Sequence, residues 1–82
     1  MKPTIGRIVH YTNLGDRDGK YPPEVQAALI TRVLGTAGWN VALHVFYPTG
    51  QFDMNNVNQA PDGVVAGSEE ARGMWQWPGR EP

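Results

Sequence analysis

The chain has 82 residues, a formal net charge of −1 at neutral pH and no cysteine. This length provides for one compact domain, residues 1–82, and makes a second independent core implausible. The near-neutral charge argues against holding long nucleic acid through phosphate neutralisation, and the absence of cysteine excludes disulfides and thiolate metal sites.

A single domain of this mass has a small core. Surface scaling predicts that it exposes roughly 4,900 Å² when folded and buries only about 63% of its extended surface. Small cores are commonly stabilised by association, so we expect a homo-oligomer. Because no segment has the apolar run of a signal peptide or a membrane span, we expect a protein without membrane contact that stays in the cytoplasm of the cell that makes it.

Clusters of glycine and proline divide the chain into short segments, which favours strands. Residues 5–12 are rich in β-branched and aromatic residues and predict the first strand. Residues 16–19 resemble the start of a calcium loop, but no glutamate closes that loop, so we predict a polar turn. Residues 23–34 fit a helical stripe as well as a strand, and between the two we favour a strand at 27–34.

The clearest strand pattern covers residues 39–47, where apolar and more polar residues alternate. The positions expected to face the core are Val41, Leu43, Val45 and Tyr47. The positions expected to face away are Asn40, Ala42, His44 and Phe46. Proline and glycine at 48–50 then predict a turn, and residues 51–59 a return strand whose end is poorly defined.

The last informative segment is Gly73 to Pro78, which holds two tryptophans two residues apart. Trp75 and Trp77 are expected to project from the same face of a strand, which Pro78 ends or places at an edge. Residues 60–72 predict a loop with a short helical turn. The sequence as a whole predicts an all-β fold, a small open barrel or sandwich of about five short antiparallel strands with at most one short helix.

The sequence contains little that suggests catalysis. Ser68 is its only serine and there is no cysteine, so nucleophilic catalysis has poor support. His10 and His44 are its only histidines, lie on different predicted strands and have no carboxylate at a spacing that would complete a metal site. We therefore expect no enzyme, no metal and no cofactor, and interpret both histidines as hydrogen-bonded structural residues.

A group of aromatic, basic and amide residues near the two ends is the candidate ligand site. Pairing of the terminal strands would bring the group together, since an exposed ring stacks on a base and an arginine binds a phosphate. The candidate ligand-binding residues are Arg7, His10, Tyr11, Asn13, Trp75, Trp77 and Arg80. The alternative interpretation is that the tryptophans pack in the core or in a subunit interface.

Three short motifs in this order resemble a widespread family of small phage proteins. They are Ile5-Gly6-Arg7-Ile8-Val9-His10-Tyr11, Ile30-Thr31-Arg32-Val33 and Trp75-Gln76-Trp77-Pro78. Residues 51–72 depart from the family pattern. Some small phage proteins of similar size look like immune-evasion sponges, which sequester the cyclic nucleotide signals of host defence systems such as CBASS.

The resemblance implies a homo-oligomer that acts in the cytoplasm of the host cell. It would bind a small anionic ligand, a cyclic di- or trinucleotide, at subunit interfaces and would not cleave it. The alternative function is a small structural or adaptor protein of the virion, with the two tryptophans buried in the contact. A regulator that binds DNA has little support, because no basic helix or patch is visible.

Overall fold

The computed structural model describes residues 2–15, 22–35, 39–48 and 50–78. Its elements, in chain order, are β1 (Ile8–Thr12), β2 (Val25–Val33), β3 (Val41–Tyr47), β4 (Gly50–Val57), a 3₁₀ turn (Glu69–Ala71) and β5 (Trp75–Gln76). The predicted all-β fold of five short antiparallel strands is confirmed. The predicted turn at residues 16–19 lies outside the described residues.

All five strands belong to one open sheet with the order β4-β3-β2-β1-β5. The first four strands follow one another as a meander, and β5 pairs with the free side of β1, where Tyr11 is opposite Trp75. The expected pairing of the terminal strands is thus present. Beyond β4 the chain returns to β5: the Trp75 N–H donates to the Asn58 carbonyl at 3.0 Å, and the Ala60 N–H donates to the Trp75 carbonyl at 2.8 Å. These two bonds draw the edges of the sheet together at one end, so the sheet curls around its core.

The ambiguous segment is a strand, and it begins at Val25, two residues before the favoured start. A register shift against β3 lies between Ile30 and Arg32. Because Thr31 is the extra residue of this bulge, inward-facing Ile30 and half-buried Val33 are three residues apart rather than two. The helical stripe in the sequence combines residues of both faces of this strand: Ala28 is buried, whereas Val25 and Arg32 are exposed.

The core lies on the concave side of the sheet. The inward positions predicted for β3 are confirmed: Val41, Leu43 and Val45 are buried, and Tyr47 packs against the core at its margin. The buried apolar cluster consists of Val9, Tyr11, Ala28, Ile30, Val41, Leu43, Val45, Val57 and Trp75. Trp39, predicted to start β3, lies before it with a φ of 49°, a left-handed conformation that a strand does not contain.

The last two strands are shorter than predicted. β4 ends at Val57 rather than at residue 59, and β5 has two residues within the predicted 73–78 segment. The short helical turn predicted between them is the 3₁₀ turn. It is capped by the Ser68 hydroxyl, which accepts a hydrogen bond from the Ala71 N–H at 3.3 Å.

Candidate interaction surface on the sheet

Two of the predicted ligand-binding rings lie in the core. Tyr11 is 4% exposed and Trp75 is fully buried. The indole N–H of Trp75 donates to the Trp39 carbonyl at 2.9 Å. Burial, and secondarily Tyr47, raises the pKa of Tyr11 above its usual 10.0, so its phenol stays neutral. Neither ring has a free face on which a base could stack, because the alternation of β1 and β5 directs both inward. The predicted ligand contacts of Tyr11 and Trp75 are therefore corrected to core packing.

Trp77 and Asn13 also have structural contacts. The ring of Trp77 is half-buried and meets the ring of Trp75 edge-on at a centroid distance of 5.4 Å. Its indole nitrogen is buried and has no hydrogen-bond partner among the described residues. The side-chain oxygen of Asn13 accepts from the backbone N–H groups of Gly15 at 3.0 Å and Glu24 at 2.9 Å. Asn13 thus ties the end of β1 to the start of β2.

The other predicted site residues lie apart from that core. Arg7 is exposed, and its Nε donates to the Thr4 hydroxyl at 3.4 Å. His10 is half-buried on the convex side of β1. Arg80 lies outside the described residues. Arg7 precedes β1 and His10 lies within it, and β1 itself separates His10 from the buried rings of Tyr11 and Trp75.

The convex side of the sheet carries a group of apolar and aromatic side chains that we call the outer patch. The strand registers place Ile8, Leu29 and His44 in one row across β1, β2 and β3. They place His10, Ala27 and Phe46 in the next row. Adjacent strands are about 4.8 Å apart and alternate residues along a strand about 7 Å apart, so the six residues form one continuous surface.

No segment that the structure describes crosses the outer patch, although one does cross the neighbouring part of the same side. The loop after β4 crosses the end of β1: the Gly67 N–H donates to the buried Thr12 hydroxyl at 3.0 Å, and the Gln76 amide donates to the Val64 carbonyl at 2.9 Å. Beyond this loop the apolar side chains face solvent. Ile8 is 64% exposed and Phe46 is 41% exposed.

His44, within the outer patch on β3, pairs with Asp53 on β4 at the margin of the patch. Nδ1 of His44 lies 2.7 Å from a carboxylate oxygen of Asp53, and Nε2 lies 2.9 Å from the Gln51 side-chain oxygen. Since both partners accept, the imidazolium form donates from both nitrogens. The hydrogen bond to Asp53, followed by that to Gln51, raises the pKa of His44 above its usual 6.5. The ring of Phe46 lies 5.0 Å from the imidazole, edge-on.

Sequence reasoning did not identify the outer patch as a functional surface. Phe46 was expected to face away from the core, and an apolar ring at an outward position was the available signal. Ile8 and Leu29 gave no such signal, because the faces of their strands were not assigned. Only the registers show that these three side chains lie on one face.

No group of three histidine, cysteine, aspartate or glutamate side chains within the described residues is arranged to hold a metal ion. The described part of the chain also contains no helix long and apolar enough to cross a membrane. Comparison with protein-family models finds no match. Comparisons with curated proteins and with solved structures find no significant similarity either.

Proposed function

We propose that this chain is a small, non-catalytic structural or adaptor protein of a phage particle and that it makes its protein contact through the outer patch. The observation that carries the proposal is the apolar surface on three adjacent strands, which no described segment crosses and in which Ile8 is 64% and Phe46 41% exposed. The phage origin rests on the resemblance of the terminal motifs.

Physical chemistry favours a protein contact at this position. Apolar surface gains about 25 cal/mol for each Å² removed from water, and a continuous exposed apolar patch on a small protein marks an interaction site. The patch lies on paired strands rather than on a loop, so its shape is set before a partner arrives and little ordering entropy opposes binding. The sequence alone suggested that the two tryptophans make the contact within the virion, but Trp75 lies in the core, so we assign the contact to the outer patch.

The test is incorporation into particles. A phage carrying this gene is grown with the wild-type protein, with Phe46→Lys or with Phe52→Lys, and purified virions are analysed by quantitative mass spectrometry. Phe52 is the matched control: it is 55% exposed, but its register partner is Val45, so it lies on the other side of the sheet. We expect the wild type and Phe52→Lys in the particles and Phe46→Lys to be depleted about tenfold, as a loss of about 1.4 kcal/mol implies. Absence of the wild-type protein from virions would refute the proposal.

A second candidate function is the cyclic-nucleotide sponge. It is favoured by Arg7 and His10, which the core does not enclose: Arg7 is exposed and His10 is half-buried. In this proposal the Arg7 guanidinium binds a ligand phosphate and His10 contacts a base. The bound nucleotide is held intact.

A titration with cyclic di- and trinucleotides tests the sponge, with thermal stabilisation as the readout. Binding to the folded state raises the melting temperature once ligand exceeds its dissociation constant. The sponge predicts saturable stabilisation that Arg7→Ala weakens, and release of unchanged nucleotide after heating. A flat response to every nucleotide rejects the sponge, and recovery of a cleaved product identifies an enzyme instead.

A further inference from the structure

We infer that the free edge of β4 pairs with the same edge of a second copy of this chain, so that two sheets join side by side in a two-fold dimer. The pairing is antiparallel and covers Gly50 to Met54. It uses the backbone edge of the sheet and leaves the outer patch of each copy on the convex side. The inference therefore goes beyond the proposed function and does not depend on it.

The two edges of the sheet differ. At the β5 edge the chain covers itself, because the Trp75 N–H donates to the Asn58 carbonyl at 3.0 Å and the Ala60 N–H donates to the Trp75 carbonyl at 2.8 Å. At the other edge β4 pairs only with β3. No backbone hydrogen bond from the rest of the described chain reaches β4 between residues 50 and 57. Such an edge carries unpaired N–H and C=O groups and is a template for another strand.

The hairpin geometry identifies the backbone groups that point outward from β4. Two residues join Tyr47 to Gly50, so these two form the hydrogen-bonded pair that closes the hairpin. Hydrogen-bonded and non-hydrogen-bonded pairs alternate along antiparallel strands. Phe52 therefore bonds to β3, whereas Gln51 and Asp53 direct their N–H and C=O groups away from it.

The first five residues of β4 lack the devices that usually protect an edge. The strand has no lysine and no proline. Its one charged residue is Asp53, whose carboxylate lies 2.7 Å from Nδ1 of His44 on the convex side, so the charge does not stand in the path of an added strand. The register shift after Met54 gives β4 an extra residue before Val57. This bulge ends the regular edge.

This edge is complementary to itself. A two-fold axis perpendicular to the sheet at Phe52 sets Gln51 of each copy opposite Asp53 of the other, and each of these pairs exchanges both backbone hydrogen bonds. Phe52, which is 55% exposed, then lies opposite Phe52 of the other copy as a non-hydrogen-bonded pair, where side chains approach most closely. An axis at Asp53 would instead set two carboxylates opposite each other, which is destabilising.

Sedimentation velocity over a range of protein concentrations tests the dimer. Gln51→Pro removes an N–H that points away from β3 and so blocks only the free edge, whereas Gln51→Thr is the matched control that keeps this N–H. We expect the wild type and Gln51→Thr to sediment at twice the chain mass. Gln51→Pro should raise the dissociation constant at least about thirtyfold, as the loss of about two net hydrogen bonds in each dimer implies.

Far-UV circular dichroism of each variant checks that the strands remain. Phe52→Lys is a second variant, independent of proline, and should also weaken the dimer because it sets two ammonium groups opposite each other at the axis. A wild-type protein that stays monomeric at every concentration would overturn the inference. So would a folded Phe52→Lys or Gln51→Pro variant that dimerises as tightly as the wild type.

A single cysteine tests the register. The chain has no cysteine, so Phe52→Cys carries one thiol, and the two Cα atoms at the axis lie about 4.5 Å apart, a separation that a disulfide spans. Mild oxidation should therefore link most Phe52→Cys chains in pairs. Phe46→Cys, on the convex side of β3, is the control and should stay unlinked. Equal linkage of the two variants would refute this register.

The dimer and the proposed function fail separately. A wild-type monomer that is found in virions refutes the dimer alone. A wild-type dimer that is absent from virions refutes the proposed function alone.

Discussion

Replacing Trp75 with phenylalanine tests whether this residue organises the core. The side chain is fully buried and its indole N–H satisfies the Trp39 carbonyl. Phenylalanine is smaller by about 40 Å³, which costs about 1 kcal/mol at roughly 24 cal/mol per Å³ of cavity. It also leaves the carbonyl without its donor, at about 1–3 kcal/mol. We therefore expect Trp75→Phe to lower the free energy of unfolding by about 2–4 kcal/mol.

Trp77→Phe is the matched control, because Trp77 is half-buried and its indole nitrogen has no partner among the described residues. It loses no such hydrogen bond, so we expect a cost of about 1 kcal/mol from packing alone. Urea denaturation followed by far-UV circular dichroism measures both costs. A chain of this length is stabilised by only about 4–12 kcal/mol, so a cost of about 2–4 kcal/mol is a large and measurable fraction of the total. Equal costs for the two variants would refute the central role of Trp75.

Three further perturbations have defined outcomes. As pH rises through the raised pKa of His44, the urea midpoint of unfolding should fall, because the stabilising pairing of protonated His44 with Asp53 is fully present below pH 6.5 and is lost above the raised pKa. Asp53→Asn should flatten this pH dependence, and an unchanged slope in the variant would contradict the role of the pair. Thr12→Val removes the hydroxyl that accepts a hydrogen bond from the Gly67 N–H, so hydrogen exchange at the Gly67 amide should accelerate about tenfold while the core strands stay protected. Equal exchange rates in the variant and the wild type would show that this hydrogen bond does not hold the loop on β1. Gly6→Ala should lower the free energy of unfolding by about 1–2 kcal/mol, since Gly6 has a φ of 92°, which strains any residue with a Cβ. Gly35→Ala, which also has open space around the new Cβ, should lower it by less than about 0.5 kcal/mol. Similar values for the two variants in urea denaturation would show that the backbone at Gly6 imposes no such strain.

Much of the secondary structure was predictable because the alternation of side chains is local. On β3 the spacing of Val41, Leu43 and Val45 was sufficient to predict both the strand and its buried face. The ambiguity of β2 also has a local origin, since its helical stripe combined buried Ala28 with exposed Val25 and Arg32, which belong to different faces of the strand. Strand ends were less predictable, because the left-handed backbone at Trp39 is held by a hydrogen bond from a residue far along the chain.

The candidate site was predicted only in part. Tyr11 and Trp75 were correctly expected to come together through pairing of the terminal strands. Their residue types suggested stacking on a ligand, but a large aromatic side chain suits a core as well as a binding site. Whether the side chain packs in the core or binds a ligand depends on the face of the strand from which it projects. The short motif around Trp75 does not determine that face.

The sequence by itself determined an all-β chain of short strands with a small core, because composition, turn residues and period-two alternation act over a few neighbouring residues. Only the tertiary structure decided which side chains share a surface. The outer patch joins Ile8, Leu29 and Phe46, which are far apart in sequence, and their registers are set by long-range hydrogen bonds between strands. A one-residue change in any of these registers would move a strand's side chains to the opposite face, so the surface is a property of the folded sheet.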